Sequence, residues 1–171
     1  MRLKDIVIIG MLASILVAVQ VGLAFLPNIE LVSVLIIVYS LVFHKKTIYI
    51  ISVFIIIEGV LYGFGLWWIN YLYIWFILYF ITILFRNTKS VFTWALFSGA
   101  FGLSFGALCA VPYLLIGSVG GNILGGLQMA LSYWIGGIPF DIIHGIANFT
   151  LTLILIKPLS MLLTYLMKLY D

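Results

Sequence analysis

From Ile6 to Ile29 the chain runs without a charged side chain, longer than a secretory leader's apolar segment and with no Ala-x-Ala cleavage site, so it reads as a retained membrane helix. The pattern recurs to the end of the chain, and composition agrees. Hydrophobic residues make up 65% of the 171 and charged residues only 8%, with a mean hydropathy of +1.33. Soluble domains carry roughly 25% charged residues. At about 20 apolar residues per crossing, the length accommodates roughly six helices and leaves no room for a separate soluble domain. The expected fold class is therefore an all-α integral membrane protein, a six-transmembrane-helix bundle forming a single domain over residues 1–171.

Polar and glycine-rich breaks place the connections at Leu26-Pro-Asn-Ile-Glu30, His44-Lys-Lys46, Gly63-Phe-Gly65, Arg86-Asn-Thr-Lys89 and Gly117 to Gly137. Helices are expected near 6–25, 31–43, 48–63, 68–85, 91–116 and 139–157. This count puts all eight basic residues on one side, Arg2, Lys4, Lys45, Lys46, Arg86, Lys89, Lys157 and Lys168. By the positive-inside rule both termini are cytoplasmic and the protein is a multi-pass component of the plasma membrane. A competing count makes 123–138 a seventh span, at the expense of moving Lys157 and Lys168 outside. The +3 net charge is a topology signal spread over loops, so no nucleic-acid partner is expected; the partner that composition does require is the lipid bilayer. The single cysteine, Cys109, cannot form an internal disulfide and reads as a packing residue.

Two ladders of small residues stand out. Gly10, Ser14, Ala18 and Gly22 line one stripe of the first helix, and Ser98, Gly102, Gly106 and Ala110 line one stripe of the fifth. Either stripe can pack within the chain, and the first can instead dock a partner. Ionisable groups inside a membrane are costly and so mark candidate sites. Glu30 beside Asn28 in the first outer loop, Glu58 in the third helix and Asp141 at the start of the sixth all fall at the outer end. Asp141, His144 and Asn148 share one helical face. Asp141 also suits the first turn of a helix by its favourable placement in the macrodipole, and His144 and Asn148 suit ordinary interior hydrogen bonds. Aromatic residues crowd the same end: Trp67, Trp68, Tyr71, Tyr73 and Trp75 around Asn70, and Tyr113, Tyr133 and Trp134 beside the long loop. Such rings form interfacial belts, but combined with carboxylates and amides they also suit a pocket for a small planar polar molecule. The glycine-rich segment carrying Asn122 can serve as a lid with the loop around Asn28.

No Gly-x4-Gly-Lys-Ser/Thr phosphate loop is present, so ATP-driven work would need separate ATPase subunits. One cysteine and two distant histidines do not make a zinc site, and no cofactor is expected. Gly102-Leu-Ser-Phe-Gly106 matches Gly-x-Ser-x-Gly, which with His144 raises an intramembrane serine protease as an alternative. Ser104 lies about 18 Å below the outer end of its helix and His144 about 8 Å below the start of its own, a mismatch in depth that speaks against the pair.

Taken with its small-residue stripe and outer polar cluster, the whole chain resembles the substrate-binding S component of energy-coupling factor transporters, small six-helix proteins that capture vitamins. The resemblance implies docking of the first helix, where Ser14 and Ala18 occupy the register, onto a transmembrane coupling subunit. It further implies two cytoplasmic ATPase subunits and a toppling of the binding subunit across the bilayer. Ligand is then expected beneath Leu26-Pro-Asn-Ile-Glu30 and against Ile138 to Asn148. Asn28, Glu30, Glu58, Trp68, Asn70, Tyr71, Tyr113, Asn122, Asp141, His144 and Asn148 are the candidate contacts for a small water-soluble vitamin or precursor. Their acidity suits a neutral or cationic compound, pyridoxine-like or pyrimidine, better than a polycarboxylate. A stand-alone secondary transporter or channel is the other class, and it would require a continuous polar path.

Overall fold

A computed structural model describes residues 2–170; Met1 and Asp171 lie outside them, and only the backbone is described at Tyr170. The chain is all-α: α1 (Leu3–Gly22), α2 (Val32–Phe43), α3 (Lys46–Tyr62), α4 (Leu66–Leu84), α5 (Val91–Cys109), α6 (Val111–Gly117), a short 3-10 turn (Val119–Gly121) and α7 (Ile123–Tyr170). By length and apolarity, four helical stretches can cross a membrane: α1, α4, the nearly continuous α5–α6 and α7. α2 and α3, at 12 and 17 residues, are shorter than the usual crossing of about 20.

α2 is nonetheless the centre of the fold. Every residue from Val32 to Ser40 is buried, because α1, α3, α4 and α7 all pack around it. A helix apolar on all sides has no solvent face to present, and here it has no need of one. At one end of the bundle α1 and α3 start side by side. Asp5 accepts from the Arg2 backbone N–H at 3.0 Å and from Lys46 Nζ at 2.8 Å, which ties the two helix starts together. The short connections bring Lys45, Arg86 and Lys89 to this same basic end.

The chief difference from expectation lies in residues 123–138, expected as loop and found as helix continuous with the predicted span at 139–157. Glycine and proline break helices in water because water satisfies the freed backbone groups. A helix satisfies its own backbone groups and suits so apolar a segment, and it persists through Gly125-Gly126, Gly136-Gly137 and Pro139. The loop shrinks to a turn around Ser118 to Asn122, in which Gly120 and Gly121 adopt the positive φ values that glycine accepts freely. With 48 residues, α7 measures about 72 Å if straight, more than twice the ~30 Å hydrocarbon thickness. Its first part pairs antiparallel with α6, where Tyr113 stacks on Tyr133 at 4.2 Å. Past Pro158, Leu159, Leu163 and Met167 pack back against the core, and Leu163 and Met167 share an apolar groove with Leu3, Val7 and Met11 of α1.

The most extensive helix contact is α5 on α7, made possible by glycines. A Cβ added at Gly102 would lie 2.8 Å from the His144 carbonyl oxygen and 2.9 Å from the Gly145 backbone; one added at Gly99 would meet Phe149 Cβ at 3.1 Å. Backbone atoms in two packed helices cannot step aside. Gly102→Ala should therefore destabilise the fold by about 1–3 kcal/mol. At Gly136 an added Cβ meets nothing within 4 Å, so Gly136→Ala should leave stability unchanged or raise it by up to about 1 kcal/mol through helix propensity. Thermal unfolding of the two variants side by side in one detergent checks the contrast.

Candidate functional site

The site is built from the end of the bundle opposite the basic residues. Between α1 and α2 the chain turns through Pro27 and Asn28, the latter at φ +59°, a left-handed conformation that asparagine tolerates better than most residues. This turn delivers Glu30 to the start of α2, where its Oε2 accepts the Ser33 N–H at 2.8 Å. A carboxylate there satisfies an otherwise unpaired amide and sits at the favourable end of the helix dipole. Its other oxygen, Oε1, lies 3.2 Å from His144 Nε2, a polar contact that links the α1–α2 loop to α7. The buried imidazole is held edge-on by Phe105 at 4.8 Å.

Beneath the loop is a cavity of about 300 Å³ bordered by Gln20, Asn28, Glu30, Tyr71, Trp75, Phe105 and His144. Gln20 Nε2 donates to the Tyr71 hydroxyl at 3.1 Å, and this pair divides the first cavity from a second of about 340 Å³. Glu58, Tyr62 and Trp67 complete the second, with Gln20, Ala24 and Tyr71 common to both. Two polar atoms here have no hydrogen-bond partner among the described residues: Glu58 Oε1 and Trp75 Nε1. Buried polar atoms ordinarily find partners, so these two mark places where a ligand group or water completes the network. The chemistry on offer is hydrogen bonding from a carboxylate, an imidazole and a carboxamide, together with aromatic faces.

Four of the candidate contacts thus border the first cavity, Asn28, Glu30, Tyr71 and His144, and Glu58 borders the second. The others are placed elsewhere. Trp68 donates its indole N–H to the Ile55 carbonyl at 2.9 Å and fixes α4 to α3. The Tyr73 hydroxyl donates to the Leu108 carbonyl at 2.6 Å, with Asn70 Oδ1 3.0 Å away, which engages Asn70 between α4 and α5. Tyr113 belongs to the α6–α7 pair, and Asn122 Oδ1 accepts the Gly125 N–H at 2.9 Å to start α7. Asp141 lies on the side-chain-free surface of Gly106, whose N–H it accepts at 2.8 Å. Asn148 is buried deeper along α7, near the level where Thr152 donates to Ser98 at 2.8 Å. Ser104 is on the exposed face of α5 and donates back to the Ala100 carbonyl, whereas His144 engages Glu30.

Gln20, Phe105 and Tyr62 border the cavities and were outside the sequence-derived set, as were Trp67 and Trp75 beyond their membership of the aromatic cluster. Gln20 carried a usable signal as the lone amide in α1. Phe105 carried none.

No protein-family model, curated protein or solved structure matches the chain. The fold defines a class: a multi-pass helical membrane protein with a polar cavity at the end remote from its basic residues.

Because Glu30–His144 is, among the described residues, the one side-chain hydrogen bond from the α1–α2 loop to α7, His144→Ala should free that loop. Amide exchange across residues 23–31 should accelerate by roughly tenfold, the equivalent of one charged hydrogen bond, with α2 and α3 protected as before. Hydrogen–deuterium exchange in nanodiscs measures this, and unchanged loop protection would show that the contact does not hold the loop.

Proposed function

We propose that this chain is the membrane-embedded substrate-binding subunit of an energy-coupling factor type transporter, taking up a small water-soluble vitamin-like compound. In this reading the basic end faces the cytoplasm with both termini, the cavities face outward, and six of the helical segments cross the plasma membrane, α2 and α3 as short spans. A transmembrane coupling subunit and two cytoplasmic ATPase subunits supply the energy.

The observation that carries the reading is the polar double cavity backed by a closed apolar core. Toward the basic end from the cavities, Leu16, Ile36, Ile51, Phe54, Ile74 and Leu78 are each 1% exposed or less. A compound can be held there but has no polar route through, which supports a binder over a channel. Support also comes from α1. Its stripe of Ser14, Ala18 and Gly22 is exposed, and an added Cβ at Gly10 or Gly22 meets nothing within 4 Å. The matching stripe on α5 is filled by α7, so the open one on α1 has the form of a docking face for another helix.

Small molecules released from the purified protein and identified by mass spectrometry should include one compound near one equivalent. Glu30→Ala should abolish its recovery. Ala18→Trp should retain the ligand yet prevent co-purification with a coupling subunit and ATP-dependent uptake in reconstituted vesicles. Sustained uptake by this chain alone in proteoliposomes would overturn the proposal.

A further inference from the structure

The second cavity has a chemistry of its own. Glu58 is 1% exposed and its Oε1 lacks a hydrogen-bond partner among the described residues. A carboxylate so placed is costly unless a positive group compensates it. Among the described residues none of the Lys or Arg side chains is nearby: they gather at the other end of the bundle, and Lys46, on the same helix, is about 18 Å away along α3. Around the carboxylate stand aromatic rings turned at right angles to one another. Trp67 and Tyr71 have centroids 5.3 Å apart at 89°, and Tyr62 and Trp67 6.3 Å apart at 85°. All three rings border the same cavity as Glu58, and an aromatic ring beside a carboxylate is a favourable neighbour for a cation. This open-sided cavity of about 340 Å³ is of the size that takes a small organic group.

We propose that the Glu58 cavity is a binding site for an organic ammonium group, a protonated amine or quaternary nitrogen carried on a small ligand. Glu58 supplies the charge partner, and Tyr62, Trp67 and Tyr71 supply the walls. The assignment rests on the binding function above and narrows it to a cationic class of ligand.

The test uses the full chain in nanodiscs and two probes of nearly equal size, benzylammonium and benzyl alcohol, titrated by calorimetry and by tryptophan fluorescence at neutral pH. Benzylammonium is expected to bind saturably and roughly tenfold or more tighter than benzyl alcohol. Glu58→Gln, which removes a buried charge and keeps the side chain's shape, should erase that preference. Trp67→Leu should reduce benzylammonium affinity by roughly three- to tenfold. Equal affinity for the two probes, no saturable binding, or a preference that survives in Glu58→Gln each overturns the assignment. Its failure is separable from that of the transport reading. A neutral compound recovered from the purified protein, with benzylammonium rejected, would leave the transporter standing without an ammonium site. Ammonium binding by a protein that takes up solute without ATPases would do the reverse.

Discussion

The close seam between α5 and α7 is the contact on which the rest of the structure depends. Lipid tails are as apolar as leucine, so burial alone gives two membrane helices little reason to associate, and close van der Waals packing has to supply it. Gly99, Gly102 and Gly145 remove the side chains that would hold the backbones apart, and the Ser98–Thr152 hydrogen bond adds a polar tie in the same seam. The register so fixed sets Asp141 on Gly106 and aims His144 past Phe105 toward Glu30. A slip of one residue would turn His144 by about 100° around α7 and empty the cavity wall of its imidazole. The site therefore inherits its precision from packing that contains no functional group.

Two stripes of small residues with the same spacing meet different fates. On α5 the stripe is consumed inside the chain, and on α1 it is left open. Spacing states only that a backbone can approach; what approaches is decided by the neighbours, and α1 turns its other face, through Leu12, Ala13 and Leu16, toward the core. This is why spacing alone allows internal packing for either stripe, with partner docking as the alternative for the first, and why the fold separates them.

The helical, membrane-spanning character of the chain was legible in its uncharged apolar runs, and the positions of α1 to α5 followed from the polar breaks to within a few residues. The segment 123–138 was not legible, because glycine and proline were read with their aqueous meaning. The candidate site was legible in part for a geometric reason. Asp141, His144 and Asn148 do share the buried face of α7, as their spacing implies. Seven residues nevertheless advance a helix by about 10 Å, so the three sit at different depths and only His144 reaches the cavity. Gln20 and Phe105 escaped because lining a cavity depends on rotation about a helix axis within a bundle, which one helix's pattern does not encode.

Position within the bundle also constrains what such a cavity can do. Its polar groups come from the last turn of α1, the turn before α2 and the upper parts of α3, α4 and α7, and the core beyond them is sealed by Leu16, Ile36, Phe54 and Leu78. A ligand that enters by the α1–α2 loop must leave by the same side of the chain. Opening a path through the core would expose the largely apolar surface of α2, which is buried along nearly its whole length. The inexpensive motion is at the loop, which the polar contact between Glu30 and His144 ties to α7.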